Sequence, residues 1–211
     1  PDKPGSEPEP LFIYVPLDVD RLPMDITVDT SEYPMKRVVF ESYDHEENLL
    51  SIPHYNAIYV DTGNGILAGL VLDEQDSGER VLWLPEGNYE YQTFVNEAIG
   101  DYIWEPLYFM TESFGINESS PDEQTITLGG EDLAGLGIFG SDTEETYMAA
   151  VALYNGENRL SPIFYRNLQL GADTSKKIYV TPGTYNVQGV IAYVNEKGEI
   201  WNLWLEKEIT L

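Results

Sequence analysis

Apolar and polar residues alternate in short runs along almost the whole chain, and turn-forming residues separate the runs. A period of two puts successive side chains on opposite faces of a strand, so the pattern predicts strands throughout. The marked spans are 11–15, 37–42, 55–61, 66–73, 80–84, 89–96 and 102–110, then 135–140, 146–154, 161–169, 176–180, 185–195 and 200–210. No stretch carries the apolar period of an amphipathic helix. Within the strand after Gly87, Tyr89, Tyr91, Thr93 and Val95 share one face, and after Gly183 so do Tyr185, Val187, Gly189, Ile191 and Tyr193. Both sets are expected to point inward. In the last strand Trp201, Leu203 and Leu205 share a face that is expected to pack in a core, while Asn202, Trp204 and Glu206 share the other.

The pattern occurs twice. Val81–Val95 reappears as Lys177–Ile191, with Gly87 matched to Gly183, Tyr89 to Tyr185 and Gln92 to Gln188. Ile103-Trp104 corresponds to Ile200-Trp201, and the copies end on Thr125-Ile-Thr-Leu128 and Glu208-Ile-Thr-Leu211. Leu84-Pro85-Glu86-Gly87 suits a type I turn and Thr181-Pro182-Gly183-Thr184 a type II turn, because proline presets φ at the second position. Hairpins are expected at both. The fold class is therefore all-β, with two tandem, internally repeated antiparallel β-sandwich units over 11–128 and 129–211. Each is long enough to bury a core.

Pro85-Glu86-Gly87 followed by Tyr89 resembles the PEGA type of bacterial surface repeat. The wider pattern of strand, Pro-Gly turn, tyrosine and strand is similar to transthyretin-like or immunoglobulin-like modules of bacterial surface lipoproteins, fimbrillin-type proteins included. The resemblance covers about 15 residues of each copy, and the second copy departs from it at Thr181-Pro182-Gly183. It implies surface-exposed, non-catalytic modules and transfers no functional residues.

Charge narrows the partners. The chain has 37 acidic and 11 basic residues, a formal charge of -26, which repels phosphate backbones and anionic lipid surfaces. Nucleic acid is excluded as a partner on that ground. Cysteine is absent, so disulfides and thiolate chemistry are excluded within these residues. No apolar run approaches a membrane span. Residues 1–10 hold four prolines, Pro1, Pro4, Pro8 and Pro10, and read as an extended proline-rich tether that contributes nothing to a core. Such a tether fits an exported protein at the cell surface, lipid-anchored through a site upstream; the bland alternative is an arbitrary chain end.

Candidate chemistry is sparse. His45 and His54 lack any HExxH or nucleophile-elbow context, so ordinary surface roles are expected for both, and no catalytic residue is assigned. Trp104, Tyr108 and Trp204 are the candidate glycan-stacking residues. Asp142, Glu144 and Glu145 are weak candidates for a structural calcium ion, since clustered carboxylates supply hard oxygen ligands, although no EF-hand spacing surrounds them. No other cofactor is expected. Three classes follow: a structural or adhesive surface module with a protein or polysaccharide partner, a glycan-binding module, and, remotely, a hydrolase using two carboxylates.

Overall fold

The structure, a computed structural model, describes residues 9–15, 29–63, 67–100, 103–138, 146–155, 164–168, 176–194 and 196–211. The chain is all-β: among the described residues there is no α-helix, only 3-10 turns at Thr30–Glu32 and Gly130–Asp132. The strands are β1 (Lys36–Tyr43), β2 (His54–Asp61), β3 (Leu67–Val71), β4 (Glu79–Leu84), β5 (Gly87–Gly100), β6 (Ile103–Ile116) and β7 (Glu123–Gly129). The second series comprises β8 (Ala134–Ile138), β9 (Thr146–Asn155), β10 (Phe164–Leu168), β11 (Lys176–Val180), β12 (Thr184–Val194) and β13 (Ile200–Thr210). The expected strand at 11–15 reduces to a single parallel bridge from Leu11 to Trp83, and β7 is a strand that the apolar pattern did not mark.

Two compact units result. Unit 1 comprises Pro1–Tyr43, Asn48–Thr93 and Thr111–Leu128, and unit 2 comprises Asp44–Glu47, Phe94–Met110 and Gly129–Leu211. The strands β5 and β6, each 14 residues long, thus contribute their Gly87 and Ile116 ends to unit 1 and their other ends to unit 2.

Unit 1 is a two-layer sandwich. One layer has the strand order β4-β1-β7; the other contains β3-β2-β5-β6. The alternation on β1 and β5 decides what meets between the layers: Phe40 stacks on Tyr91 at 3.7 Å, and Ser42 Oγ lies 2.9 Å from Thr93 Oγ1. Tyr89, Tyr91, Thr93 and Val95 are all buried, as the alternation predicts. Residues 9–12 lie along the free side of β4, where Trp83 N–H donates to Pro10 O (3.0 Å) and Phe12 N–H to Trp83 O (3.1 Å). Glu9 is tied down as well, accepting from Trp83 Nε1 (2.8 Å) and Arg37 Nη2 (2.8 Å). The last residues of the expected tether are therefore part of the unit 1 sheet edge.

In unit 2, β6, β11 and β8 pair in that order, and β10-β9-β12-β13 form a four-stranded sheet. Phe109, Ile178, Val180 and Tyr185 form the core between them, with Phe94, Leu136, Val187, Ile209 and Leu211 packed on it. One pairing departs from the antiparallel expectation: β11 runs parallel to β6, with Tyr179 opposite Tyr108 and Val180 opposite Phe109.

The two matched proline-glycine segments are not hairpins. Each joins strands of different sheets, β4 to β5 and β11 to β12, so each is a corner where the chain changes layer. Turn chemistry specifies a reversal without specifying which strand the outgoing residues join. The corners are built alike. Tyr89 Oη donates to Pro85 O (2.8 Å) and Tyr185 Oη to Thr181 O (2.5 Å), in both cases four residues upstream. A side chain at Gly87 would meet the Tyr89 ring at 3.1 Å, which is why the ring can lie over this backbone.

Candidate functional site

Three places concentrate unusual chemistry. The first is interior to unit 1. His54, which the sequence reading assigned to the surface, is 1% exposed. Its Nδ1 lies 2.7 Å from Ile52 O and its Nε2 3.1 Å from Gln75 Nε2. A carbonyl can only accept and an amide nitrogen can only donate, so Nδ1 carries the proton and the ring is neutral. Desolvation by burial holds its pKa below the ordinary histidine value, and the Ile52 carbonyl opposes that shift. Gln75 in turn accepts from Arg80 Nε (2.7 Å), whose Nη2 donates to Asp73 O (2.7 Å), so this histidine is tied into the loop around Asp73–Arg80. Beside it, Thr93 donates to Asn56 Oδ1 (2.9 Å), while Asn56 Nδ2 and Tyr91 Oη are buried without a hydrogen-bond partner among the described residues.

The second is a shallow hollow in unit 1 of about 420 Å³, lined by Asp61, Asn88, Glu90, Ser113 and Phe114 among others. Glu90 Oε1 is held by Gln92 Nε2 and by Thr111 Oγ1 (3.2 Å). Asp61 Oδ1 accepts from the Gly63 amide (2.8 Å). Neither histidine lines the hollow, so it contains no nucleophile set against a base of that kind.

The third is β13. It lies at the end of its sheet, with β12 on one side and, among the described residues, no strand on the other. Trp204 is 76% exposed and Trp201 54%, and Ile200, Leu203 and Leu205 are exposed too. The expectation that Trp201 packs in a core is therefore corrected. Ile209 shares its face and does reach the unit 2 core, whereas Leu205, Leu203 and Trp201, farther along the same face, stay about half exposed.

The remaining assignments divide. Tyr108 is 5% exposed, with Oη 2.6 Å from His45 Nδ1, and burial pushes its pKa up to about 12. Its ring has no open face for a sugar, because β11 pairs beside it and His45 stacks on the neighbouring Tyr179 at 3.8 Å. The backbone of Trp104 is in β6, and its side chain lies outside the described residues. Asp142, Glu144 and Glu145 also lie outside them. Among the described residues no group of three or more His, Asp or Glu converges as a metal site would require. Sequence reasoning missed His54; its sharing a face with Ile58 and Val60 was the available signal.

No protein-family model matches the chain, and no curated protein sequence matches it. Among solved structures it is similar to a streptococcal ancillary pilin at 13% identity and a TM-score of 0.30, over 84% of this chain. The matched region is 58% of that pilin's length. It is also similar to a candidate adhesin from Bacteroides ovatus (9% identity, TM-score 0.29, 88% of each chain). A third is the C-terminal fragment of a pilus adhesin from Lactobacillus rhamnosus (12% identity, TM-score 0.22, 81% of this chain and 86% of that one). At such scores the likenesses leave function to be read from the chain's own residues.

Proposed function

We propose that the protein is a non-enzymatic structural or adhesive module of the cell surface, which engages a protein or polysaccharide partner along β13. The observation that carries this reading is an 11-residue edge strand whose apolar residues are exposed on both faces. Unpaired strand edges and uncovered apolar side chains are costly in water and favour partners that cover them. The proline-rich residues 1–8 suit a spacer that holds the module away from an anchor. The -26 charge turns most of the surface away from polyanions. A second reading, glycan recognition, is favoured by the exposure of the Trp204 ring, which suits stacking on the apolar face of a sugar.

The test is binding of the purified chain to arrays of polysaccharides and surface proteins, beside turnover assays on glycoside and ester substrates. Saturable binding that Trp204→Ala abolishes, without turnover, is the expected result. Turnover that survives Trp204→Ala would overturn the reading and direct attention to the Asp61–Glu90 hollow.

A further inference from the structure

The partner of β13 can be specified further, resting on the reading that β13 is the working surface. Its backbone parity is determined by the end of the hairpin. Gly183 N–H donates to Leu211 O (3.2 Å) and Leu211 N–H to Gly183 O (2.9 Å), so residues 183 and 211 form a hydrogen-bonded pair. The β12–β13 register runs without a slip from Thr184 opposite Thr210 to Val194 opposite Ile200. In an antiparallel ladder hydrogen-bonded and non-hydrogen-bonded pairs alternate. Odd-numbered residues of β13 therefore bond to β12, and the even-numbered ones, Asn202 and Trp204 among them, direct their N–H and C=O groups away from it. The 3.3 Å approach of Thr184 Oγ1 to Thr210 Oγ1 fits this parity, because side chains come closer in a non-hydrogen-bonded pair.

We infer that this edge pairs with the same edge of a second copy, antiparallel and centred on Trp204. The strand is self-complementary about that residue: Leu203 would stand opposite Leu205, Asn202 opposite Glu206, Trp201 opposite Lys207 and Ile200 opposite Glu208. Even residues then meet even residues, which is what groups directed away from β12 require. The amide of Asn202 faces a carboxylate, the Lys207 ammonium faces an indole, and no carboxylate faces another. A centre on Glu206 would instead place two carboxylates opposite each other. In a chain of net charge -26 the run Ile200–Leu205 carries no charge, so two copies can approach here where most of the surface would repel. The pairing continues the four-stranded sheet across a two-fold axis and covers the exposed tryptophans of both copies.

Sedimentation of the intact chain across a concentration series tests this, with three single or paired variants. Asn202→Pro deletes an outward N–H and leaves the β12 ladder whole, so it should raise the dimer dissociation constant about tenfold or more. Trp204→Ala should act in the same direction. Because the chain lacks cysteine, an oxidised mixture of Leu203→Cys and Leu205→Cys chains should yield a disulfide-linked dimer that neither yields alone. A dimer that Asn202→Pro leaves unchanged, or a cross-link that ignores the register, overturns the inference. A wild-type chain that stays monomeric in high salt also overturns it; if Asn202→Pro then still abolishes binding on the arrays, β13 remains the working surface with a different partner. Loss of both effects removes the functional reading as well.

Discussion

At the scale of the residue, three of the buried tyrosines, Tyr89, Tyr91 and Tyr185, separate what a hydroxyl contributes from what a ring contributes. Tyr89 and Tyr185 each donate to a carbonyl at a corner, whereas Tyr91 buries its hydroxyl without a partner among the described residues. Burial raises the pKa of all three, that of Tyr185 to about 12, so each is neutral near neutral pH. Tyr89→Phe and Tyr185→Phe should each cost about 0.5–1.5 kcal/mol in urea unfolding, and Tyr91→Phe should be neutral or stabilising. His54 gives a pH signature. Its folded pKa lies below the unfolded value, so the unfolded chain binds the extra proton; the stability it supports is present above about pH 6.5 and is lost as pH falls below that. Charging it also sets it against Arg80, while Glu74 and Asp76 partly compensate. Unfolding free energy should decline from pH 7 towards pH 5, and His54→Gln should flatten that decline. Alternation revealed which side of a strand a residue occupies, as with Tyr89, Tyr91, Thr93 and Val95. It did not reveal the company kept there, and so a histidine among apolar neighbours was read as a surface group.

At the scale of the element, parity on β13 makes adjacent positions respond differently to proline. Asn202→Pro removes a donor that faces the free edge, and thermal unfolding should shift only slightly. Leu203→Pro removes a donor that bonds to Ile191, with an expected loss of about 3 kcal/mol or more. Equal sensitivity at the two positions would mean that the ladder parity is wrong. Strand positions were legible where β-branched and aromatic residues run between turn signals: the span 176–180 and the span 200–210 coincide with β11 and β13. β7 escaped because its alternation is carried by Gln124, Ile126 and Leu128, one of them polar. The corners were read as hairpins because local turn chemistry is blind to sheet membership, which is settled by packing of Phe40 on Tyr91 and of Tyr185 in the unit 2 core. Trp201 was misplaced for a related reason: periodicity gives the face, but only the other layer decides whether that face is covered.

At the scale of the whole molecule, 37 carboxylates against 11 cations make self-repulsion a persistent opponent of compactness. Cations are spent where they join segments: Arg37 contacts Glu9 and, at 2.7 Å, Glu123, and Lys36 contacts Asp122 at 2.8 Å. Such exposed pairs contribute little, because water and salt screen them. Screening relieves many repulsive pairs and weakens attractive ones such as these, which are outnumbered in a chain of 37 carboxylates and 11 cations, so the melting temperature should rise with sodium chloride over the range where the Debye length shrinks from about 30 Å to about 8 Å. A fall would show that the salt bridges outweigh the repulsion. Composition thus indicated which partners are repelled, while the place where approach is possible came from the exposed, uncharged run Ile200–Leu205.

The central claim is that β13 is an open edge available to a partner, and residue-resolved amide hydrogen exchange on the dilute protein tests it most directly. The account predicts alternation along the strand: slow exchange at Trp201, Leu203, Leu205 and Lys207, whose amides bond to β12, and fast exchange at Asn202 and Trp204. The fast amides should become slow as concentration rises and the edges pair. Uniform protection of both sets in the dilute protein would contradict the claim, because it would mean that the edge is already covered within a single chain.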